Sequence, residues 1–391
     1  MISIVYLKKN KAIYNIQKDY FLKRNMYFHE QLSRIGIEFG GYLINYEEEF
    51  QYTGNTLLKK DKEIILITGQ TLTNSEFSAV QKYLQSKKIQ VLGCVLKENN
   101  FGNKTILHPT LDEPQNIPSW HQEIHELYKD LTLPGYSCFT LESIRKSYAK
   151  LKEQNPKESV RLKLGNGYNG VDHYIIESET GLQKVIEIVN RFDELEEVGV
   201  SLELNLSNTN SYGVTRLELN SKVQVTICKQ SSLNNTYIGS ELIIHPNDEE
   251  KLYVEMNEKA FSAMESHSKQ LNRFNTDIVV GSLHTGQKLF GITDLSLRTG
   301  AATIVELEKL TDNLNCGVYQ IYSDKAISRQ KKNTLERVLA NSDIRIVVLS
   351  RYVITLCYPI SSKHILETRE FKAIEGEIMG VPYDKNILFQ A

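Results

Sequence analysis

Two aspartates and a glycine-rich loop are the residues whose types and spacing could do chemistry. The runs Asp277-Ile-Val-Val-Gly281 and Lys288-Leu-Phe-Gly-Ile-Thr-Asp294 read as strands joined through His284-Thr285-Gly286-Gln287. With Thr285-Gly286 as a two-residue turn, Asp277 and Asp294 face each other across the ladder, their Cβ atoms roughly 4.5 to 5.5 Å apart. Two anions so placed repel each other, and a divalent cation held by both removes the penalty. Magnesium favours one or two carboxylates together with substrate phosphates. Ser296 and Arg298 follow Asp294 at alternate positions, so Asp-x-Ser-x-Arg aims a hydroxyl and a guanidinium at the same region. A solvated hairpin with two exposed acids is the other reading, and a register slip of one residue would send them to opposite faces.

Gly165-Asn166-Gly167-Tyr168-Asn169-Gly170 fits GxGxxG, but a dinucleotide site of that kind needs a helix after the loop. Val171 to Ile176 is strand-like instead, so the loop is expected to be a flap between two strands. Glycines there let backbone N–H groups close on polyphosphate oxygens, and Lys163 just before them could add a positive charge. A plain Asn-Gly hairpin turn without a ligand fits the loop equally well. The chain has no GxxxxGK[ST], no kinase HRD or DFG signature and no GxSxG elbow. His121 and His125 have the spacing of a helical zinc pair, yet Gln122 stands where a zinc protease needs its general base, so they read as ordinary surface residues.

The elements that must position these residues alternate in type. Glu63 to Thr68 is a short apolar strand, a helix runs from Thr73 to Leu84, and Ile89 to Leu96 is a second strand, together a βαβ unit. A Pro-rich interval with Trp120 and then Leu133-Pro-Gly-Tyr136 punctuates the chain, which places a boundary near residue 128. A helix over 141–153 and strands over 159–164 and 171–176 follow, then consecutive strands from Val198 to about His245 and a helix over 249–269. Beyond the aspartate strands come a helix over 303–310, a helix over 330–340, a strand over 344–349 and a polar, irregular end.

A length of 391 residues predicts two or three domains. The formal charge of −2 lacks the basic excess that nucleic-acid binding normally requires. The apolar run Ile2 to Leu7 precedes its lysines, the reverse of a secretory signal, and no stretch approaches the roughly 20 apolar residues of a membrane span. The expectation is a cytoplasmic protein without nucleic-acid or membrane partners, with a homodimer as the default assembly. Five widely spaced cysteines without a CxxC are expected to be buried free thiols, and the 21 tyrosines to be packing residues.

A lysine-bearing strand, a glycine-rich flap, an acidic strand and a carboxylate-bearing strand pair ending in Asp-x-Ser-x-Arg follow the order of parts in the ATP-grasp superfamily. The chain resembles a member, and within the superfamily it is similar to an uncharacterised bacterial family of predicted ATP-grasp proteins. The matching segments are Leu133 to Arg145, Val160 to Lys163, Ser201 to Leu206 and Asp294 to Ala301. The resemblance implies an α/β (α+β) fold: a pre-ATP-grasp-like α/β domain over 1–128, an N-lobe with the flap over 129–205, and a C-lobe with the metal-binding strand pair over 206–391. It implies that Lys163, Gly165, Gly167 and Gly170 bind phosphate and that Glu203 and Asn205 meet adenine and ribose. Asp277, Asp294 and Ser296 would hold Mg2+, and Arg298 would steady the transferred phosphoryl group. Ser296 replaces the commoner Asn, Asp277 or Asp294 the frequent Glu, and Leu164 the proline often found after the lysine.

The activity implied is that of a ligase that uses ATP to activate a small-molecule carboxylate as an acyl phosphate, which an amine or similar nucleophile then attacks. A degenerate ATP-grasp sensor or scaffold that binds nucleotide without turnover is the second reading.

Overall fold

A computed structural model of the chain describes all residues except 9–13, 47–48, 54–62, 87, 98–103, 112–116, 118–121, 166–172, 234–235, 312–314, 324 and 381–391. The flap glycines Gly167 and Gly170, together with His121 and Trp120, lie outside the described residues.

The apolar N-terminal run becomes the centre of a sheet. The first unit contains β1 (Ile2–Lys8), α1 (Tyr14–Arg34), β2 (Glu38–Tyr46), β3 (Glu49–Thr53), β4 (Ile64–Thr68), α2 (Asn74–Leu84) and β5 (Ile89–Leu92). The strand order is β3-β2-β1-β4-β5, parallel throughout except for β3 at the edge. Ile2, Ile4 and Tyr6 pack on one face of β1 and Val5 on the other, as a parallel strand covered on both sides requires. The helix α2 starts where expected, because Thr73 and Glu76 form a reciprocal capping box. The strand expected over 89–96 is broken: Gly93, at φ +155°, separates β5 from β6 (Cys94–Leu96), which leaves the sheet.

The second unit follows a 3-10 turn at Thr105–Leu107 and α3 (Gln122–Tyr128). It comprises β7 (Gly135–Cys138), α4 (Leu141–Gln154), β8 (Val160–Leu164), β9 (His173–Ile176), α5 (Glu179–Val189), α6 (Leu195–Val198) and β10 (Val200–Leu204). These strands form an antiparallel sheet in the order β7-β10-β8-β9. Leu182, Val185, Ile186 and Val189 of α5, at helical spacing, join Ile144, Tyr148 and Leu151 of α4 on its apolar face. Alternation leaves Ser137, Arg161, Lys163, Ser201 and Glu203 on the opposite face.

The third unit contains β11 (Ser207–Leu219), β12 (Lys222–Leu233), β13 (Thr236–Leu242), α7 (Asp248–Glu265), β14 (Ser268–Leu271), β15 (Arg273–Ser282), β16 (Lys288–Ser296) and α8 (Thr303–Leu310). It continues with β17 (Cys316–Tyr322), α9 (Arg329–Leu339), β18 (Arg345–Leu349), β19 (Val353–Pro359), a 3-10 segment at Ile360–Glu367 and α10 (Arg369–Met379). Its sheet has eight antiparallel strands in the order β16-β15-β11-β12-β13-β17-β19-β18. The end expected to be irregular thus carries a strand and a helix, whose Phe371, Ile374 and Ile378 repeat on one helical face and pack onto β17 and β19. The helix expected to reach 269 stops at Glu265, and β14 pairs with β6, tying the first unit to the third. All five cysteines are buried and free, as expected. Among the described residues no helix is long and apolar enough to cross a membrane.

Candidate active site between two polar sheet faces

Asp277 and Asp294 are directly opposed across β15 and β16, but by a different route from the one the turn residues suggested. The connection is a three-residue loop, His284-Thr285-Gly286, closed by Leu283 N–H donating to Gln287 O and by Gly286 at φ +84°. That turn alone would set the register one residue off. A bulge at Thr293 corrects it, since Ile278 pairs with Ile292 and the next pair is Asp277 with Asp294. The Thr293 carbonyl, turned out of the ladder's regular pattern, accepts a hydrogen bond from Lys163 Nζ at 3.0 Å, which joins this sheet to the second unit.

Each acid has distinct surroundings. Asp277 Oδ1 accepts from Gln230 Nε2 at 2.8 Å and Asn275 Nδ2 at 2.9 Å, while Oδ2 accepts from no described residue. Burial, and then the Asp294 carboxylate, push the Asp277 pKa up, the mutual repulsion that the spacing implied. Gly213 of β11 pairs with Asp277 and leaves the space for this arrangement: a Cβ there would lie 2.8 Å from Gln230 Nε2. Asp294 is 28% exposed, and its Oδ2 lies 3.7 Å from Nζ of the buried Lys104.

Behind the acids, Arg273 donates in bidentate fashion to Glu306 of α8, from Nε at 2.8 Å and from Nη2 at 2.7 Å, both residues being buried. Its remaining nitrogen, Nη1, donates to the carbonyls of Ser296 and Arg298. Thr215 Oγ1 lies 2.8 Å from Asn275 Oδ1 and 2.9 Å from Glu306 Oε1, so the network that fixes the Asp-x-Ser-x-Arg backbone also fixes the amide holding Asp277.

The facing sheet carries the lysine. β8 and β9 are antiparallel, with Lys163 opposite His173, so strands do flank the glycine loop and the dinucleotide reading is excluded by the absence of a following helix. Lys163 is buried and ion-paired with Glu203 at 2.5 Å. Burial lowers its pKa, opposed chiefly by Glu203. For Glu203 burial acts upward, but Lys163 and His108, whose Nε2 is 3.5 Å from Oε2, hold its pKa below the ordinary value. Asn205 accepts both Nε and Nη2 of Arg161, at 3.1 and 2.8 Å, and donates to Ser159 Oγ. Gly165 closes β8 against Gly199: its N–H donates to the Gly199 carbonyl, and a Cβ would lie 2.5 Å from the Val198 carbonyl.

The structure therefore brings Lys163, Asp277, Asp294 and Ser296 to one gap, with Arg298 just past β16. Lys104, His108, Gln230 and Asn275 belong to the same gap and were not read from the sequence. Asn275 carried a signal, sitting two residues before Asp277 on the same strand face, but Lys104 and His108 flank a short turn far from any motif. Among the described residues no three His, Cys, Asp or Glu side chains cluster as metal ligands. His125 is buried in α3 rather than exposed, and burial lowers its pKa. An oxygen-only pair with one open Asp277 oxygen fits magnesium, which completes its shell with water and phosphate.

The family described as "Protein of unknown function (DUF3182)" matches residues 43–317. No curated protein matches the sequence. Among solved structures, the chain is similar to carboxyaminoimidazole ribonucleotide synthase from Aspergillus clavatus complexed with ATP, at TM-score 0.56 and 12% identity, covering 96% of this chain and 98% of that one. It is also similar to a biotin carboxylase–ATP complex from Campylobacter jejuni, at TM-score 0.54 and 12% identity, covering 99% and 98%. D-alanyl-alanine synthetase A from Vibrio cholerae gives TM-score 0.51 and 15% identity over 80% and 93%. At these identities the likeness is one of fold.

Proposed function

We propose that this chain, which belongs to the DUF3182 family and has the ATP-grasp fold, is an ATP- and magnesium-dependent ligase that activates a carboxylate as an acyl phosphate for attack by an amine or similar nucleophile. The observation that carries the reading is the meeting of two polar sheet faces, where Lys163 bridges to the bulge carbonyl beside the opposed Asp277 and Asp294. The structural relatives named above, two of them complexes with ATP, support it.

In this reading Asp277, through its open oxygen, Asp294 and Ser296 hold the magnesium, which when bound supplies charge neutralisation to the phosphate oxygens. Lys163 and Lys104 place ammonium groups beside them, and Arg298 stabilises charge spreading over the transferred phosphoryl oxygens. Gly165 ends β8 at the glycine loop, whose Gly167 and Gly170 are the residues this reading assigns to phosphate contact. Glu203 and Asn205 belong to the strand facing adenine and ribose. Their present bonds add a second task for each: Glu203 orients Lys163, and Asn205 ties Arg161 to the strand end. No protein nucleophile is required, because the substrate carboxylate attacks the γ-phosphorus and ADP leaves. The test is ADP release with magnesium and ATP across pools of carboxylates and amines: stimulation by one pair establishes the ligase.

A nucleotide-binding scaffold without turnover is favoured by one observation, the ion pair that already occupies Lys163. It requires magnesium-dependent nucleotide binding with no stimulation by any pair.

A further inference from the structure

A second cluster of titratable groups lies outside the candidate active site, where α1 and α8 cover the strands β17, β18 and β19. Cys316 and Cys357 share one face of adjacent antiparallel strands, for Cys316 pairs with Pro359, two residues beyond Cys357. Both are buried in one apolar cluster, and the Cys316 thiol donates its proton toward the Cys357 sulfur. Across β18 and β19, Arg345 is directly opposed to Cys357, with Nη2 3.6 Å from Sγ. The same Nη2 lies 2.9 Å from Oε1 of Glu308 in α8, a wholly buried carboxylate that also accepts from the Tyr27 hydroxyl of α1.

One guanidinium thus serves two acidic groups, which sets the chemistry of the pair. The proton from Cys316 holds the Cys357 pKa below the ordinary thiol value; burial and Glu308 oppose it, and Arg345 adds to it. The same hydrogen bond, and then burial, push the Cys316 thiol up. A thiolate beside a guanidinium is the nucleophilic form of cysteine, and a protonated thiol within its reach is the partner with which a sulfenic acid condenses. The Arg345 side chain is 41% exposed, so one edge of the cluster reaches the surface. Diagonal partners across an antiparallel pair stand about 7 to 8 Å apart at Cα, just beyond the unstrained range for a disulfide, so joining these two draws the strands together. A bond formed under such strain is readily reduced.

We propose that Cys316 and Cys357 form a reversible thiol switch that hydrogen peroxide closes and a dithiol reductant opens. The Cys357 thiolate attacks one peroxide oxygen, the O–O bond breaks, and the other oxygen leaves as hydroxide, which gives a sulfenic acid. The Cys316 sulfur then displaces that hydroxyl, its own proton goes to the departing oxygen, and water leaves with the disulfide in place. The two sulfurs together give up two electrons, which the peroxide takes. Closure removes the thiolate from Arg345 and pulls on β17 and β19 beside Glu308. Glu308 shares α8 with Glu306, which holds Arg273 behind the acid pair, so the strand shift is transmitted toward Asp277 and Asp294.

Treatment of the folded full chain with hydrogen peroxide, followed by alkylation and peptide mass mapping, tests the switch independently of any nucleotide. The expected product is two hydrogens lighter, has lost two of its five free thiols, and carries a Cys316–Cys357 linkage that dithiothreitol removes. Cys357→Ser is expected to abolish the linkage, and Cys316→Ser to leave a Cys357 sulfenic acid that dimedone traps. Arg345→Met is expected to slow oxidation about tenfold, because the thiolate loses its cation. Should a variant fail to fold, the wild-type map carries the test alone. A linkage through Cys94, Cys138 or Cys228, oxidation of Cys357 only to the sulfinic or sulfonic acid, or no loss of thiols from the folded chain overturns the proposal. Hydrogen exchange of the α8 amides reads the transmission: faster exchange in the oxidised chain is expected, and unchanged exchange overturns the link to the acid pair.

Discussion

The two polar faces that meet at the candidate active site are built on opposite plans. On the eight-stranded sheet, neutral amides hold one oxygen of Asp277, a buried Arg273–Glu306 pair fixes the backbone behind it, and the acids keep open oxygens toward the gap. On the four-stranded sheet, the charges are closed on one another: Lys163 is spent on Glu203 and the Thr293 carbonyl, and Asn205 on Arg161. One face therefore stands ready for a cation, whereas the other must exchange an internal partner for an anionic ligand. A ligand that neutralises both at once, a metal-bound polyphosphate, is the species that such a contrast suits.

The contrast is broken most severely from behind the acids. Arg273→Met leaves Glu306 buried and unpaired and is expected to cost about 3 to 5 kcal/mol, read by urea denaturation. A cost below about 1 kcal/mol would mean that the network does not hold the acidic face.

On the facing sheet, Lys163→Met tests whether the ion pair is a stability element. The folded-state pKa of Glu203 is depressed, so its contribution is present above the unfolded value of about 4.3 and is lost as pH falls through the lower folded value. The variant is expected to lose that acid-side dependence and to be less stable at neutral pH, because a buried carboxylate is left without its cation. A denaturation series from pH 3 to pH 7 with the wild-type slope preserved would contradict this.

Asp277→Asn sharpens the comparison in the other direction. The raised folded pKa of Asp277 means that stability is lost as pH rises from the unfolded value of about 3.9 through the higher folded value, and stays lost above it. Asparagine keeps the Oδ1 acceptor for Gln230 and Asn275, so at pH 7 the variant is expected to gain about 0.5 to 1 kcal/mol while losing metal-dependent nucleotide binding. A less stable variant would show that the acid pair is not strained. The smallest effect is expected far from the gap: Gly286→Ala forces a positive φ on alanine at the hairpin tip, at about 1 kcal/mol, with ligand binding unchanged.

What the sequence made legible follows the range of the interactions involved. The opposition of Asp277 and Asp294, the strands flanking the glycine loop and the helix at 303–310 all rest on local alternation or helical spacing, and the structure has them. The turn between the aspartates has three residues where Thr285-Gly286 predicts two; the acids meet because the Thr293 bulge, which no local pattern announces, shifts the register back. Lys104 and His108 reach the gap only through packing between units. The C-terminal strand and helix looked polar because their buried residues are sparse in sequence and gather only against β17 and β19. Arg24 of α1, buried among the rings of Tyr20, Phe21 and Phe28, shows the same limit, since an arginine in a helix gives no sign in the sequence of being enclosed.

The central claim is that the acid pair and the lysine face together bind a magnesium nucleotide. Calorimetric titration of the purified protein with a non-hydrolysable ATP analogue, with and without magnesium and beside Asp294→Asn, tests it most directly. The account predicts magnesium-dependent binding in the wild type that Asp294→Asn loses while keeping its fold. Binding that is indifferent to magnesium, or equal in the variant, would contradict it.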